Sequence, residues 1–213
     1  MTSQADFVQP PRIATWLVNL FTPGEEGESI VGDLLEEFSH LASKSGVALA
    51  RRWYWRQTVK TIAHLFGTGF RVAPWSTSAA VVGGYLLGSF VHGLPDKVLS
   101  VVTDRYLAFW SSHFQVYLWV LKGMFIGHLI LSMFVGCVVA LAAKGREMVA
   151  TMTLSLALCA MTGAALAWVA KDWPVEDTLQ WMLWQCAGPF AIVMGGVIVR
   201  TRRSAARTRP SAT

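Results

Sequence analysis

The chain has 213 residues, a net charge of +5 and a mean hydropathy of +0.44, with 54% hydrophobic and only 15% charged residues. This composition places it in the membrane class, and ten tryptophans agree because indole favours the membrane interface. The three cysteines exclude a disulfide framework, since Cys137, Cys159 and Cys186 all fall in predicted spans without metal-ligand spacing. We interpret them as small buried hydrophobic residues.

Residues 11 to 66 have the periodicity of three helices. Apolar residues recur at spacings of three and four in the first helix and are predicted to line one face: Ile13, Trp16, Leu17, Leu20 and Phe21. Thr22 and Pro23 predict the cap and first position of the second helix, and Gly46 predicts its end. The third helix, Arg51 to Phe66, runs towards the membrane.

The third helix carries two tryptophans on different faces. Trp53 and Trp55 lie about 200° apart at 100° per residue, so they cannot share a core face. We expect one to pack on the first two helices and the other to contact headgroups or a partner. The surrounding basic residues suit an anionic inner leaflet or a partner and are otherwise ordinary juxtamembrane charges: Arg51, Arg52, Arg56 and Lys60.

Three strings in this region resemble a known family. Pro10-Pro11-Arg12, Gly32-Asp33-Leu34-Leu35-Glu36-Glu37-Phe38 and Arg51-Arg52-Trp53-Tyr54-Trp55-Arg56-Gln57 are similar to the permease prefix domain of bacterial ABC export permeases of the macrolide-exporter type. The likeness covers about residues 10 to 66. Such permeases continue into a large extracytoplasmic domain, whereas this chain has only a short predicted outer link. The resemblance therefore implies a docking or regulatory prefix on a smaller membrane body.

Four stretches without charge follow, and each is long enough to cross a bilayer, which takes about 20 residues. We predict spans at 73–94, 122–143, 148–170 and 178–199, within a membrane domain of residues 71–200. An outer link at 95–121 is predicted to carry a surface helix, and residues 201–213 to form a disordered basic tail. The predicted fold is all-α: a four-helix transmembrane bundle behind a cytoplasmic helical subdomain of residues 1–70.

The basic residues predict the orientation. Fourteen of the 18 lie before the first span, in the second link or after the fourth span, while only Lys97, Arg105 and Lys171 lie in the other links and Lys122 at a membrane edge. Because cytoplasmic loops carry the excess of Lys and Arg, both termini are predicted to be cytoplasmic in a bacterial inner membrane. The net charge is then a topology signal, and a nucleic-acid partner is not expected.

Small residues recur four apart on the spans, which lets helix backbones approach closely in lipid. They predict a compact bundle or a homo-oligomer, and the packing positions include Gly84, Gly88, Gly123, Gly127 and Gly195.

One polar residue per span falls about 8 to 12 Å from the outer end at 1.5 Å per residue, which predicts a polar layer of Ser89, His128, Thr162 and Gln185. We expect a structural hydrogen bond between helices at His128, with a transport or proton role and haem or chlorophyll ligation as alternatives. No second histidine is expected at this depth, because His92 and His113 are placed near the outer surface. No cofactor or metal is predicted.

No phosphate loop, nucleophile elbow or zinc-protease helix occurs in the sequence, and we expect no enzyme. The preferred hypothesis is a non-enzymatic accessory or regulatory subunit that docks on a larger membrane complex, such as an ABC exporter or an electron-transfer assembly. A small oligomeric transporter or channel is the main alternative, and it is less favoured because each span offers only one or two polar residues. A membrane sensor that signals to a cytoplasmic repressor is the third hypothesis.

Overall fold

The computed structural model describes residues 9–22, 24–72, 74–169 and 175–207, with the backbone alone at 24–26, 107, 169, 175–184 and 207. Within these ranges every regular element is a helix, so the all-α prediction is confirmed. The helices are α1 Arg12–Phe21, α2 Gly24–Ser45, α3 Val47–Val72, α4 Pro74–Arg105, α5 Leu107–Ser112, α6 Phe114–Ala142, α7 Glu147–Val169 and α8 Val175–Arg207. The chain divides into two units. The N-terminal unit contains the described residues up to Pro74 together with Ala206 and Arg207, and the apolar unit is Trp75–Ala205.

The N-terminal unit packs around Tyr54 of α3. Tyr54 and Phe38 are fully buried and meet edge to face, with ring centroids 5.7 Å apart. The Tyr54 hydroxyl hydrogen-bonds the Thr15 hydroxyl of α1 at 2.9 Å, so one residue links all three helices. Gly46 has φ +89°, a left-handed conformation that glycine adopts without strain, and it ends α2 as predicted.

The predicted core face of α1 is wrong at two positions. Ile13 is 65% exposed and Trp16 is 46% exposed, whereas Ala14 and Val18 are fully buried. Apolar residues occupy both sides of this short helix, and the small Ala14 side chain allows close packing against α2 and α3. The larger residues are therefore left on the surface.

Three helices are long and apolar enough to cross a membrane among the described residues: Pro74–Arg105, Phe114–Ala142 and Glu147–Trp168. They cover most of the first three predicted spans, while positions 73 and 170 lie outside the described residues. The predicted fourth span, 178–199, falls within α8, where the side chains before Gln185 lie outside the described residues.

The apolar unit is held together where glycines bring helices into contact. A Cβ at Gly84 of α4 would collide with Val139 of α6 and Leu154 of α7. Gly136 of α6 and Gly195 of α8 face each other's helix so closely that an added Cβ would meet main-chain atoms. The Ser155 hydroxyl of α7 also donates to the Pro189 carbonyl of α8 at 2.8 Å. These contacts join α4, α6, α7 and α8.

Not every predicted packing glycine makes such a contact. Gly84 and Gly195 do, and a Cβ at Gly88 would lie 4.0 Å from Val135, which is ordinary packing distance. At Gly123 and Gly127 an added Cβ would meet no atom within 4 Å, and their predicted role in packing, in a bundle or a homo-oligomer, stays a prediction. Both lie on the part of α6 before His128, towards the Phe114 end.

The predicted outer link and tail are more helical than expected. α4 continues through Pro95 to Arg105, and the six-residue α5 replaces a separate surface helix. α8 likewise continues to Arg207 instead of ending at 200, while residues 208–213 of the predicted tail lie outside the described residues.

A buried ion cluster explains the extended end of α8. Glu147, only 3% exposed at the start of α7, pairs with Arg203 and lies 3.7 Å from Arg200 of α8. Its carboxylate also accepts a bond of 3.1 Å from the backbone N–H of Gly145, which has φ +82°. We call Glu147, Arg200 and Arg203 the Glu147 cluster. It joins the α6–α7 link to α8.

Candidate functional site

Two polar pairs between α4 and α6 form the core of the candidate site. Asp96 Oδ1 lies 3.1 Å from His128 Nε2, and His92 Nε2 lies 3.4 Å from Ser132 Oγ. Between the pairs, the rings of His92 and His128 meet edge to face with centroids 4.9 Å apart. We call these four residues the polar ladder.

The ladder follows from helical spacing. His92 and Asp96 are four residues apart on α4, and His128 and Ser132 are four apart on α6. Residues at this spacing share one helix face and differ by about 6 Å in height. Two antiparallel neighbours therefore present two polar levels, with Asp96 and His128 at one and His92 and Ser132 at the other.

The ladder lines a cavity of about 340 Å³ that is bordered by α4, α6, α7 and α8. All four residues of the predicted polar layer line it: Ser89, His128, Thr162 and Gln185. Their convergence brings hydrogen-bonding groups from four helices to one space. The role predicted for them, a structural hydrogen bond between helices, stays a prediction.

The expectation that no second histidine accompanies His128 is wrong. His92 lies beside it and also lines the cavity. Tyr85, two helical turns earlier on α4, lines the cavity too. The sequence predicted His92 near the outer surface, but the packing of α4 on α6 brings its ring beside that of His128. The spacing of Ser89, His92 and Asp96 at three and four residues was the sequence signal for this polar face.

Hydrogen bonding in the ladder is incomplete. The Nε2 atom of His128 is inaccessible to solvent and has no aligned hydrogen-bond partner, although Asp96 is near enough for an ion pair. Buried polar nitrogens are normally satisfied by protein, water or ligand. The His128 imidazole is therefore the incompletely satisfied group of the ladder.

The ladder is exposed at Asp96 and closed by helix contact at the other end. The Asp96 side chain is 59% exposed, whereas Ser132 is 3% exposed. One turn beyond Ser132, Gly136 contacts the backbone of α8 at Ile192. Contact between α6 and α8 therefore closes the cavity at the Ser132 end.

A second candidate site lies on α3 of the N-terminal unit. Trp53 is half-buried and packs on the core, while Trp55 is 39% exposed. One exposed side of α3, which we call the basic face, consists of two adjacent rows of residues spaced four apart. The first row is Arg51, Trp55 and Val59, and the second is Arg52, Arg56 and Lys60. Tyr54 fills the core position between the tryptophans, a role that the sequence interpretation did not give it.

Trp53 also borders an acidic groove on the same unit. The other lining residues include Asp33, Glu36, Glu37 and His40 of α2. The basic face and this groove have opposite charge, so the unit presents two chemically different surfaces.

No family model matches the chain, and no curated protein or solved structure is significantly similar to it. The resemblance of residues 10–66 to the permease prefix domain stays a prediction.

Proposed function

We propose that the protein is a non-enzymatic accessory or regulatory subunit of a larger complex in a bacterial inner membrane, and that it docks through its N-terminal unit. In this proposal four helices cross the membrane and both termini are cytoplasmic. The basic residue distribution supports this orientation. The contacts of α8 with α6 and α7 support a fourth span, because an isolated tail would not pack glycine to backbone with apolar helices.

The observation that carries the proposal is the basic face of α3. Trp55 at 39% and Val59 at 61% exposure lie among four basic side chains, although the same unit buries Tyr54 and Phe38 completely. A unit that builds a specific core while leaving an aromatic patch uncovered has the composition of an interaction site, where Trp and Arg contribute most of the binding energy.

We assign this face to a protein partner with an acidic, partly apolar surface. Arg51, Arg52, Arg56 and Lys60 supply four positive charges around Trp55. Opposite charge accelerates association, and burial of one tryptophan supplies the affinity. An anionic lipid surface attracts the same charges and is the competing occupant that the experiment must distinguish.

The test compares Trp55→Ala with Leu49→Ala, an exposed apolar residue on the same helix, in the full-length protein. The protein is purified in mild detergent from its source bacterium, and each co-purifying protein is quantified against the bait. We expect Trp55→Ala to release a stoichiometric partner at least about tenfold and Leu49→Ala to retain it. Unchanged recovery of every partner with Trp55→Ala contradicts the proposal.

A liposome assay separates the two occupants. If Trp55→Ala instead abolishes co-sedimentation of the purified protein with phosphatidylserine vesicles while complex composition is unchanged, the basic face is a lipid contact. Protein docking is then refuted. Trp53→Ala serves as the folding control, because it removes a side chain that packs on the core and should lower stability.

A small transporter is the second candidate, and one observation favours it. Four polar residues follow one face of α4, namely Tyr85, Ser89, His92 and Asp96, which is more than the one or two per span counted from the sequence. A conduit requires such a continuous polar face. Flux of a substrate in proteoliposomes that is abolished by His92→Ala would support transport, and intact flux would exclude the ladder as its pathway.

A further inference from the structure

The cavity beside the polar ladder has the volume of a small ligand pocket. It is a partly open cleft of about 340 Å³. Ligand pockets begin at about 300 Å³. At about 30 Å³ for each water-sized group, the cavity accommodates a molecule of about ten non-hydrogen atoms.

The charge of the site favours a cation. Among the described residues that line the cavity there is no lysine, arginine or carboxylate, and the carboxylate next to it is Asp96, at 3.1 Å from the lining residue His128. The Lys122 ammonium of α6 lies 5.2 Å from the Trp119 ring centre. A cation at the exposed Asp96 end of the ladder meets a carboxylate.

The walls suit an organic cation better than a metal ion. His92 directs Nε2 to Ser132 instead of towards His128 Nε2 and Asp96, and no three His, Cys, Asp or Glu residues converge on a metal position in the described part of the chain. Tyr85 and Phe125 contribute ring surface, which attracts ammonium groups, and Gly88, where an added Cβ would lie 4.0 Å from Val135, leaves room for an apolar body.

We propose that this cavity binds a small organic cation, a primary ammonium carried on an apolar body of about ten non-hydrogen atoms. The ammonium pairs with the exposed Asp96 carboxylate at the edge of the cavity, while the apolar body lies in the cavity against Gly88 and Val135. This inference goes beyond docking through the N-terminal unit, and it requires no transport.

Equilibrium dialysis of the purified full-length protein tests the proposal with radiolabelled 2-phenylethylamine. Its neutral counterpart, 2-phenylethanol, has the same shape without the charge. At a pH of about 7.5 the amine is protonated while an ordinary imidazole is mostly neutral. We expect saturable binding of one amine per chain and at least about tenfold weaker binding of the alcohol. Equal affinity for the two probes, or no saturable amine binding up to about 10 mM, overturns the proposal.

Two pairs of variants assign the site. Asp96→Asn should weaken amine binding at least about tenfold and leave the alcohol unaffected, whereas Asp104→Asn, on the exposed end of α4, should change neither. Gly88→Leu places a side chain in the cavity and should abolish binding. Gly83 is on the same helix, at a position where an added Cβ would meet no atom within 4 Å, and Gly83→Leu should retain amine binding. Amine binding that survives Gly88→Leu refutes the site.

Folding of each variant is checked by gel filtration and helical circular dichroism. If Gly88→Leu does not fold, Gly88→Ala narrows the cavity at ordinary contact distance from Val135, and a loss of affinity is still expected. Stoichiometric zinc binding that requires both His92 and His128 and displaces the amine would overturn the organic-cation assignment. Failure here leaves docking untouched, because docking is scored on partner retention with Trp55→Ala.

Discussion

The Glu147 cluster offers the sharpest test of how the apolar unit is held together. Glu147 is 3% exposed, and the side chains of Arg200 and Arg203 are 9% and 28% exposed. Removing one partner of a buried ion pair costs about 3–5 kcal/mol, because the remaining charge stays desolvated without a counter-charge. We expect Glu147→Gln to fall near the lower value, about 3 kcal/mol, since a glutamine oxygen can still accept from Gly145 and Arg203.

Arg203→Gln should cost less. The Arg203 guanidinium is partly exposed, and Arg200 remains 3.7 Å from the carboxylate as a second counter-charge. We expect Arg203→Gln to lower the free energy of unfolding by about 2 kcal/mol. The double variant Glu147→Gln/Arg203→Gln should cost at least about 1 kcal/mol less than the sum of the two single variants. The matched control is Arg202→Gln, which removes a neighbouring exposed arginine and should change stability by less than about 0.5 kcal/mol.

The free energy of unfolding is measured in mixed micelles by titration with sodium dodecyl sulfate and followed by circular dichroism. Equal effects of Arg203→Gln and Arg202→Gln would refute the reasoning, as would additivity of the two cluster variants. Either result would mean that the pair is solvated in the membrane protein and contributes as little as a surface ion pair.

Two further predictions follow from the fold. Reporter fusions after Lys97, Arg146, Lys171 and Thr213 should lie outside, inside, outside and inside the cell, and an external C-terminus would contradict four spans. Tyr54→Phe should cost the N-terminal unit about 1 kcal/mol through the lost hydrogen bond to Thr15, and Tyr54→Ala about 3–5 kcal/mol. Hydrogen exchange of residues 9–72 in the full-length protein measures both, and equal protection in the two variants would show that Tyr54 is not the core of this unit.

The sequence was sufficient for features that depend on local chemistry. Long uncharged stretches predict helices that can cross a membrane because charge is costly in lipid. Gly46 predicts a helix end because glycine alone adopts positive φ without strain, and the structure has it at φ +89°.

Features that depend on tertiary contact were not predictable in the same way. In α1 the apolar residues surround much of the helix, so only packing against Tyr54 and Phe38 selects Ala14 and Val18 for the core. Likewise, Gly136 and Gly123 look alike in sequence, and only the position of α8 makes one a contact and leaves the other open.

The position of His92 beside His128 was not predicted, for a different reason. The sequence placed His92 near the outer surface, apart from the layer of His128. In the structure the packing of α4 on α6 brings His92 beside both His128 and Ser132. Comparing helix faces instead of depths would have found it, because Ser89, His92 and Asp96 share one face.

The closed end of the cavity distinguishes binding from transport. A transported molecule would have to pass where α6 and α8 touch, so these helices would have to separate. A Cβ at Gly188 of α8 would lie 3.5 Å from Ser132 Oγ of α6, which is compatible with a disulfide between cysteines at the two positions. If the protein transports 2-phenylethylamine by this route, the oxidised Ser132→Cys/Gly188→Cys variant, with the native cysteines replaced by alanine, should lose the flux in proteoliposomes and regain it on reduction. The single Ser132→Cys variant controls for loss of the hydroxyl. Flux that continues through the cross-linked protein would show that the route does not pass between α6 and α8, and absence of flux before cross-linking would make the cavity a binding site alone.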